Sequence, residues 1–231
     1  MHVPIFHGLS PMDIVRPPHG QSTFPFEAHD ARYFYRARNA IYYLFLALTE
    51  RRRRVTVLMP DYNSGNEVRA IRSAGASIVY CPIGPDMRMD PDNVERLCDM
   101  HRPDVLYVIH YAGWPQPIST LVDLCRRREM LVVEDCALAL LSETVGRPLG
   151  SFGDWSVFCL YKTLPLPNGA LLVQNTDREE PLPDAQLRSA GAPSTMGRLA
   201  ELFVQRARLR VSGAGRVLGL MKRGAGRENK L

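Results

Sequence analysis

The 231 residues carry 45% apolar side chains and a net charge of +5, a balance that suits one large globular domain or one and a half ordinary ones. The best apolar run, Ile41 to Leu48, stops at Thr49, Glu50 and four arginines, well short of the roughly 20 apolar residues a membrane helix requires. Five cysteines, at 81, 98, 125, 136 and 159, are odd in number and form no Cys-x-x-Cys pair, and no histidine shows metal-ligand spacing to them, so neither a closed disulfide framework nor a structural zinc site is expected.

Residues 1–24, with Pro4, Pro11, Pro17 and Pro18, present no interpretable element. They also lack the charged-then-apolar pattern of a secretory signal, so a cytoplasmic protein is expected. From Arg38 to Glu50, Ile41, Leu44, Phe45 and Leu48 recur at helical spacing, which predicts an amphipathic helix. Its first turn, around Arg38, Asn39 and Ala40, offers unpaired backbone amides and the positive dipole end, a ready site for a phosphate. Asn39 suits an ordinary N-cap equally well.

Strand-like runs follow at Val55–Met59, Ser77–Cys81, Asp104–His110 and Met130–Glu134, with helix-like segments at Asn66–Ser73, Pro91–Met100 and Ile118–Arg128 between them. The alternation predicts an α/β fold, a mostly parallel sheet covered by helices and joined by right-handed crossovers. Ligands bind beyond the carboxyl ends of the strands in such sheets. That rule gathers Asp61-Tyr62-Asn63, His110-Tyr111-Ala112-Gly113 and Glu134-Asp135 around one crevice, because each group directly follows a strand.

A further strand is predicted from Trp155 to Leu160, and another, Ala170–Gln174, after the tight turn that Asn168-Gly169 favours. Lys162 lies in the connection between them, just before a proline-rich turn. A desolvated lysine amine forms a Schiff base with an aldehyde, and a carboxylate such as Asp135 keeps a pyridine nitrogen protonated. Together they are the minimum equipment for pyridoxal phosphate. The competing reading is a lysine pointing to solvent and an aspartate capping the next helix.

After Gln174, residues 177–183 and 189–194 read as linkers. From Arg198 to Leu231 nine Lys or Arg face two Glu, so the basicity belongs to a helical C-terminal extension. Arg206, Arg208 and Arg210 suit the wet face of an amphipathic helix; with Arg51 to Arg54 they would also suit an anionic surface, and that rival predicts salt-dependent binding. Residues 1–24 are therefore expected as an N-terminal segment, 25–175 as the cofactor-binding large domain, and 176–231 as linker and basic helical tail.

The run Val132-Val133-Glu134-Asp135-Cys136-Ala137, then Gly150-Ser151-Phe152-Gly153-Asp154, then Phe158-x-x-x-Lys162 resembles the DegT/DnrJ/StrS-type aminotransferases of pyridoxal phosphate fold type I. The similarity extends from about Tyr33 to Val173 and takes in Met59-Pro60-Asp61-Tyr62 and Ile109-His110-Tyr111-Ala112-Gly113. The resemblance implies that Lys162 is the Schiff-base lysine and Asp135 the partner of the pyridine nitrogen. Arg38 and Asn39 fall where the family binds phosphate, and Tyr62 falls against the cofactor ring, where plain packing is the competing reading. His110 reads as a pocket residue or a satisfied buried histidine.

The resemblance further implies transfer of an amino group from an amino acid to a keto-sugar on a nucleotide, in a homodimer with no membrane span and no nucleic-acid partner. Departures stand beside it. Leu138 replaces a polar residue common near the cofactor hydroxyl, Val157 or Cys159 a serine near the phosphate, and Pro167-Asn168-Gly169-Ala170 the usual Gly-Glu-Gly-Gly. Cys136 adjoins Asp135 but has no paired histidine in view to make it a nucleophile. Most of the family's C-terminal domain is absent from the resemblance, so the alternative is a non-catalytic relative acting as a partner or scaffold.

Overall fold

The computed structural model describes residues 23–28, 30–179, 181–183 and 192–210. Its main unit is a seven-stranded mixed sheet in the order β1-β9-β8-β5-β4-β2-β3. The parallel strands are β2 (Thr56–Pro60), β3 (Ser77–Cys81), β4 (Val105–Ile109), β5 (Leu131–Cys136) and β8 (Trp155–Cys159). β9 (Ala170–Gln174) pairs antiparallel with β8, and β1 (Ala31–Phe34) antiparallel with β9. A short hairpin, β6 (Glu143–Thr144) and β7 (Arg147–Pro148), forms a separate two-stranded sheet.

The helices are α1 (Ala37–Arg51), α2 (Asn66–Ser73), α3 (Pro91–His101), α4 (Ile118–Arg127), the single turn α5 (Leu160–Thr163) and α6 (Ala192–Arg210). Helix α1 buries Ala40, Ile41, Leu44, Phe45, Ala47 and Leu48. They join Val57, Met59, Val105, Tyr107, Leu131, Val133, Trp155, Val157 and Leu172 in one core. Alternation along the strands puts the odd-numbered residues of β4, β5 and β8 on this face. The even-numbered set, Leu106, Val108, Val132 and Phe158, is also buried, as the continuous apolar runs predict for a sheet covered on both sides.

Several expectations shift. Helix α1 starts at Ala37 with Arg36 as N-cap, in extended backbone and with no side-chain cap bond. Asn39 is therefore not a cap: it sits one turn in, exposed, with its own N–H bonded to the Arg36 carbonyl at 2.9 Å. Residues 177–183, read as linker, are tied to the unit. The Arg32 guanidinium donates to the Leu182 and Pro183 carbonyls, Arg51 to the Pro181 carbonyl, and Arg52 pairs with Glu179. Arg178 spans Asp154 and the Met130 carbonyl, and Leu182 is buried in the core. Ala192 to Ser194, expected as linker, begin α6. That helix belongs to a second unit; the basic tail beyond Arg210 lies outside the described residues. Among the described residues no helix is long and apolar enough to cross a membrane.

Candidate active site

The strand order reverses at β2, with β3 on one side and β4 on the other, and at such a switch point connections diverge and leave a crevice beyond the strand ends. A cavity of about 350 Å³ opens there. Its walls come from the residues that follow β2, β4, β5 and β8, together with the first turns of α1 and α2.

Lys162, Asp135, Tyr62 and Arg38 all line this cavity; Asn39 does not. Lys162 is carried by α5, directly after β8, so its position follows from the strand end. Tyr62 is exposed on the loop after β2, with its ring against Tyr111 at a centroid distance of 5.7 Å, and the Tyr111 hydroxyl donates to the Tyr62 carbonyl at 2.6 Å. Leu138 is half exposed at the rim and Cys159 is buried in the wall.

Glu134 and Asp135 are neighbours with opposite assignments, because successive strand residues face opposite sides of the sheet. Asp135 points to the α1 side. Its Oδ2 accepts from the Tyr107 hydroxyl at 2.7 Å and its Oδ1 from the Ala137 N–H at 3.0 Å. No helix follows β5, so the capping role open to Asp135 does not arise. Burial pushes the Asp135 carboxyl above the usual aspartate range, while the Tyr107 and Ala137 bonds and the nearby Lys162 charge pull the other way.

Glu134 points to the other side and is saturated. It accepts from Phe152 N–H at 2.8 Å, Gly153 N–H at 2.7 Å, Gly150 N–H at 3.0 Å and His110 Nε2 at 3.0 Å. The loop makes this approach because Gly150 sits at φ 91°, where a Cβ would lie 2.5 Å from the Phe158 ring, and a Cβ on Gly153 would lie 2.8 Å from the Val132 carbonyl. One carboxylate is thus a staple for the loop after β7, and its neighbour keeps lone pairs for the cavity.

His110 both lines the cavity and is a satisfied buried histidine. The Gln116 N–H donates to Nδ1 at 3.2 Å, which leaves the proton on Nε2 for Glu134. The side-chain donor atoms of His110, Glu134 and Cys136 lie within 4.8 Å of one another, a cluster that linear spacing does not reveal. A histidine therefore does stand near Cys136. Its ring nitrogens are both engaged, and burial pushes the Cys136 thiol well up, so the sulfur is no nucleophile.

Sequence reasoning passed over Arg36, Glu67 and Tyr161, all in the cavity wall. Arg36 lies over the Tyr35 and Tyr161 rings, 5.5 and 5.7 Å from their centroids; its place just before the predicted helix start at Arg38 was the available signal. Glu67 is buried and accepts from the Ser64 N–H at 2.7 Å and the Ser64 hydroxyl at 2.5 Å. Ser64-x-x-Glu67 has the spacing of a capping box, but the N-cap of α2 is Gly65 and carries no side-chain cap bond; Glu67 instead ties down Ser64 just before the helix.

The residues present fit a pyridoxal phosphate. The cavity's size is in the range of small-molecule sites, about 300–1,000 Å³. Among the described residues it holds one lysine, the buried carboxylates of Asp135 and Glu67, of which Glu67 is engaged by Ser64, and a helix start without a side-chain cap flanked by Arg36 and Arg38.

Comparison with known proteins agrees with this chemistry. The profile of the DegT/DnrJ/EryC1/StrS aminotransferase family matches residues 37–198. GDP-perosamine synthase of Vibrio cholerae is 30% identical over 124 residues, 52% of this chain and 34% of that protein. A dTDP-4-dehydro-2,3,6-trideoxy-D-glucose 4-aminotransferase of Saccharopolyspora spinosa is 32% identical over 120 residues, 50% of this chain and 30% of that protein. The chain thus spans about a third of the length of these curated relatives.

Among solved structures, the Helicobacter pylori aminotransferase PseC superposes with a TM-score of 0.59 at 19% identity, covering 78% of this chain and 54% of that one. A Streptococcus pneumoniae protein solved in its pyridoxal phosphate form gives 0.58 at 20% identity, covering 67% and 44%. These likenesses show the fold to be that of the fold type I aminotransferases. Members of the matched family depend on pyridoxal phosphate. With its profile matched from Ala37 to Arg198, the chain belongs to the DegT/DnrJ/EryC1/StrS aminotransferase family.

Proposed function

We propose that the cavity beyond β5 and β8 holds pyridoxal phosphate and serves transfer of an amino group from an amino acid to a keto-sugar carried on a nucleotide. The observation that carries the reading is that Lys162 and Asp135, 27 positions apart, line one cavity at the carboxyl ends of adjacent strands. The names of the relatives, which denote syntheses and transfers on nucleotide-linked sugars, support the substrate class.

When bound, pyridoxal phosphate supplies an electron sink for the carbanion left by loss of a substrate proton. The chain's residues supply the rest. Lys162 Nζ would hold the cofactor through its aldehyde and, freed when the substrate amine takes its place, would carry the substrate proton. The Asp135 carboxylate holds a proton on the ring nitrogen. Arg36, Arg38 and the uncapped amides of α1 hold the phosphate, and the Tyr62 and Tyr111 rings flank the ring site. In the family the active site lies between two subunits, and a homodimer belongs to the same proposal.

Arg36→Ala tests the phosphate assignment. It is expected to weaken pyridoxal phosphate binding about 10- to 100-fold, one charge-assisted hydrogen bond's worth, while pyridoxal without the phosphate binds equally to both proteins. Absorbance titration of each ligand measures this. An equal loss for both ligands would show that Arg36 does not act on the phosphate.

A further inference from the structure

Among the described residues, Tyr107 is the side chain of the sheet that hydrogen-bonds the Asp135 carboxylate. It belongs to β4, fully buried, its ring packed against Phe45 at a centroid distance of 6.3 Å. A buried tyrosine hydroxyl needs a hydrogen-bond partner, and its partner is Asp135 Oδ2 at 2.7 Å. The register explains the reach: Tyr107 pairs with Val133 and Ile109 with Asp135, so Tyr107 and Asp135 share a face two residues apart across adjacent strands.

We propose that Tyr107 is a positioning residue for Asp135, holding its carboxylate by a buried hydrogen bond so that the remaining acceptor sites face the cavity. The inference rests on the cofactor reading for its consequence, though not for its geometry. The Ala137 N–H fixes the other oxygen, and the Asp135 carbonyl accepts from the His110 N–H at 3.1 Å, so backbone and both oxygens are held. Without the hydroxyl one oxygen has no partner in the sheet, and the carboxyl is free to turn about its side-chain torsion. The bond also favours the ionised carboxylate against burial, the form that a protonated ring nitrogen requires. Other titratable or charged groups lining the cavity are Tyr62, Glu67, His110, Tyr111, Cys159, Tyr161 and Lys162, together with Arg36 and Arg38.

Tyr107→Phe keeps the ring and removes the hydroxyl alone. In the cofactor-free chain, carboxyl carbon NMR, with Asp135→Asn to assign the signal, is expected to show Asp135 titrating at higher pH in the variant. Pyridoxal phosphate affinity is expected to fall about tenfold. In an Asp135→Asn background the same substitution is expected to change affinity by less than about twofold, because a residue acting through another is not additive with it. An unmoved Asp135 titration, or an equal loss in both backgrounds, would overturn the proposal. The titration decides it even where no variant binds the cofactor, an outcome that would instead remove the functional reading. Tyr107→Leu, which also lacks the hydroxyl, repeats the test should the Phe variant not fold.

Discussion

Glu134→Ala is expected to lower the free energy of unfolding by more than about 4 kcal/mol. Four donors converge on this carboxylate, three of them backbone N–H groups of Gly150, Phe152 and Gly153 and the fourth His110 Nε2. The residue is fully buried, so each orphaned donor costs about 1–3 kcal/mol. A domain with roughly 5–15 kcal/mol in hand loses much of its stability. Glu134→Gln retains acceptor capacity on one side and turns an amide N–H₂ towards donors on the other, so it is expected to fall between wild type and Ala. Urea unfolding of the cofactor-free chain measures both. A loss below about 1 kcal/mol for Ala would mean that water replaces the carboxylate and that the loop at 150–153 is held by other contacts.

The neighbouring substitution is expected to act in the opposite direction. Asp135→Asn raises the melting temperature of the cofactor-free chain at neutral pH, and it lowers pyridoxal phosphate affinity about 10- to 150-fold, the worth of a hydrogen bond to a charged partner. The stability gain follows from burial, which holds the folded-state Asp135 carboxyl above its ordinary value. A carboxyl raised in this way favours folding below the unfolded value of about 3.9 and costs stability as pH climbs through the folded value. The gap between Asn and Asp proteins should therefore be small near pH 4 and widen towards pH 7. The Asn side chain can still accept from the Ala137 N–H and its amide can donate to the Tyr107 oxygen, but the Tyr107 hydroxyl proton then loses its acceptor, a pH-independent cost, so the widening of the gap towards pH 7 is the sign to read. Melting curves across that pH range check the sign. A destabilised Asn variant at pH 7 would show that Asp135 serves the fold before any ligand.

How far these roles were legible in the sequence depends on the range of the interaction. Ser77–Cys81, Ala170–Gln174 and Asn66–Ser73 have the bounds read from the chain, because apolar run, periodicity and flanking turn residues act locally. β1 went unread: Ala31–Phe34 is a four-residue edge strand that exists by pairing with β9, some 139 residues later. The hairpin at 143–148 is too short for any alternation to register. Asn39 misled because its side chain fits an N-cap, whereas Arg36 takes that place with no side-chain bond at all.

In the candidate site, Lys162 and Asp135 could be paired because the carboxyl-end rule acts on strand order alone. Tyr107, by contrast, was read only as one more residue of a buried strand. Its reach to Asp135 depends on parallel register between β4 and β5, which no local signal encodes. The same holds for His110 beside Cys136, brought together across two strands, and for Glu134, whose four donors come from the residue after β4 and a loop beyond β7.

The central claim is that Lys162 is a covalent anchor for pyridoxal phosphate, and one measurement reaches it directly. The purified chain is incubated with the cofactor, its visible absorbance recorded, and the adduct fixed with borohydride before peptide mass mapping. The account predicts a yellow protein with a single reduced adduct on Lys162, and a colourless, folded Lys162→Ala variant. A folded wild-type chain without colour or with no adduct on Lys162 would contradict it and leave a family member that serves as a partner or scaffold.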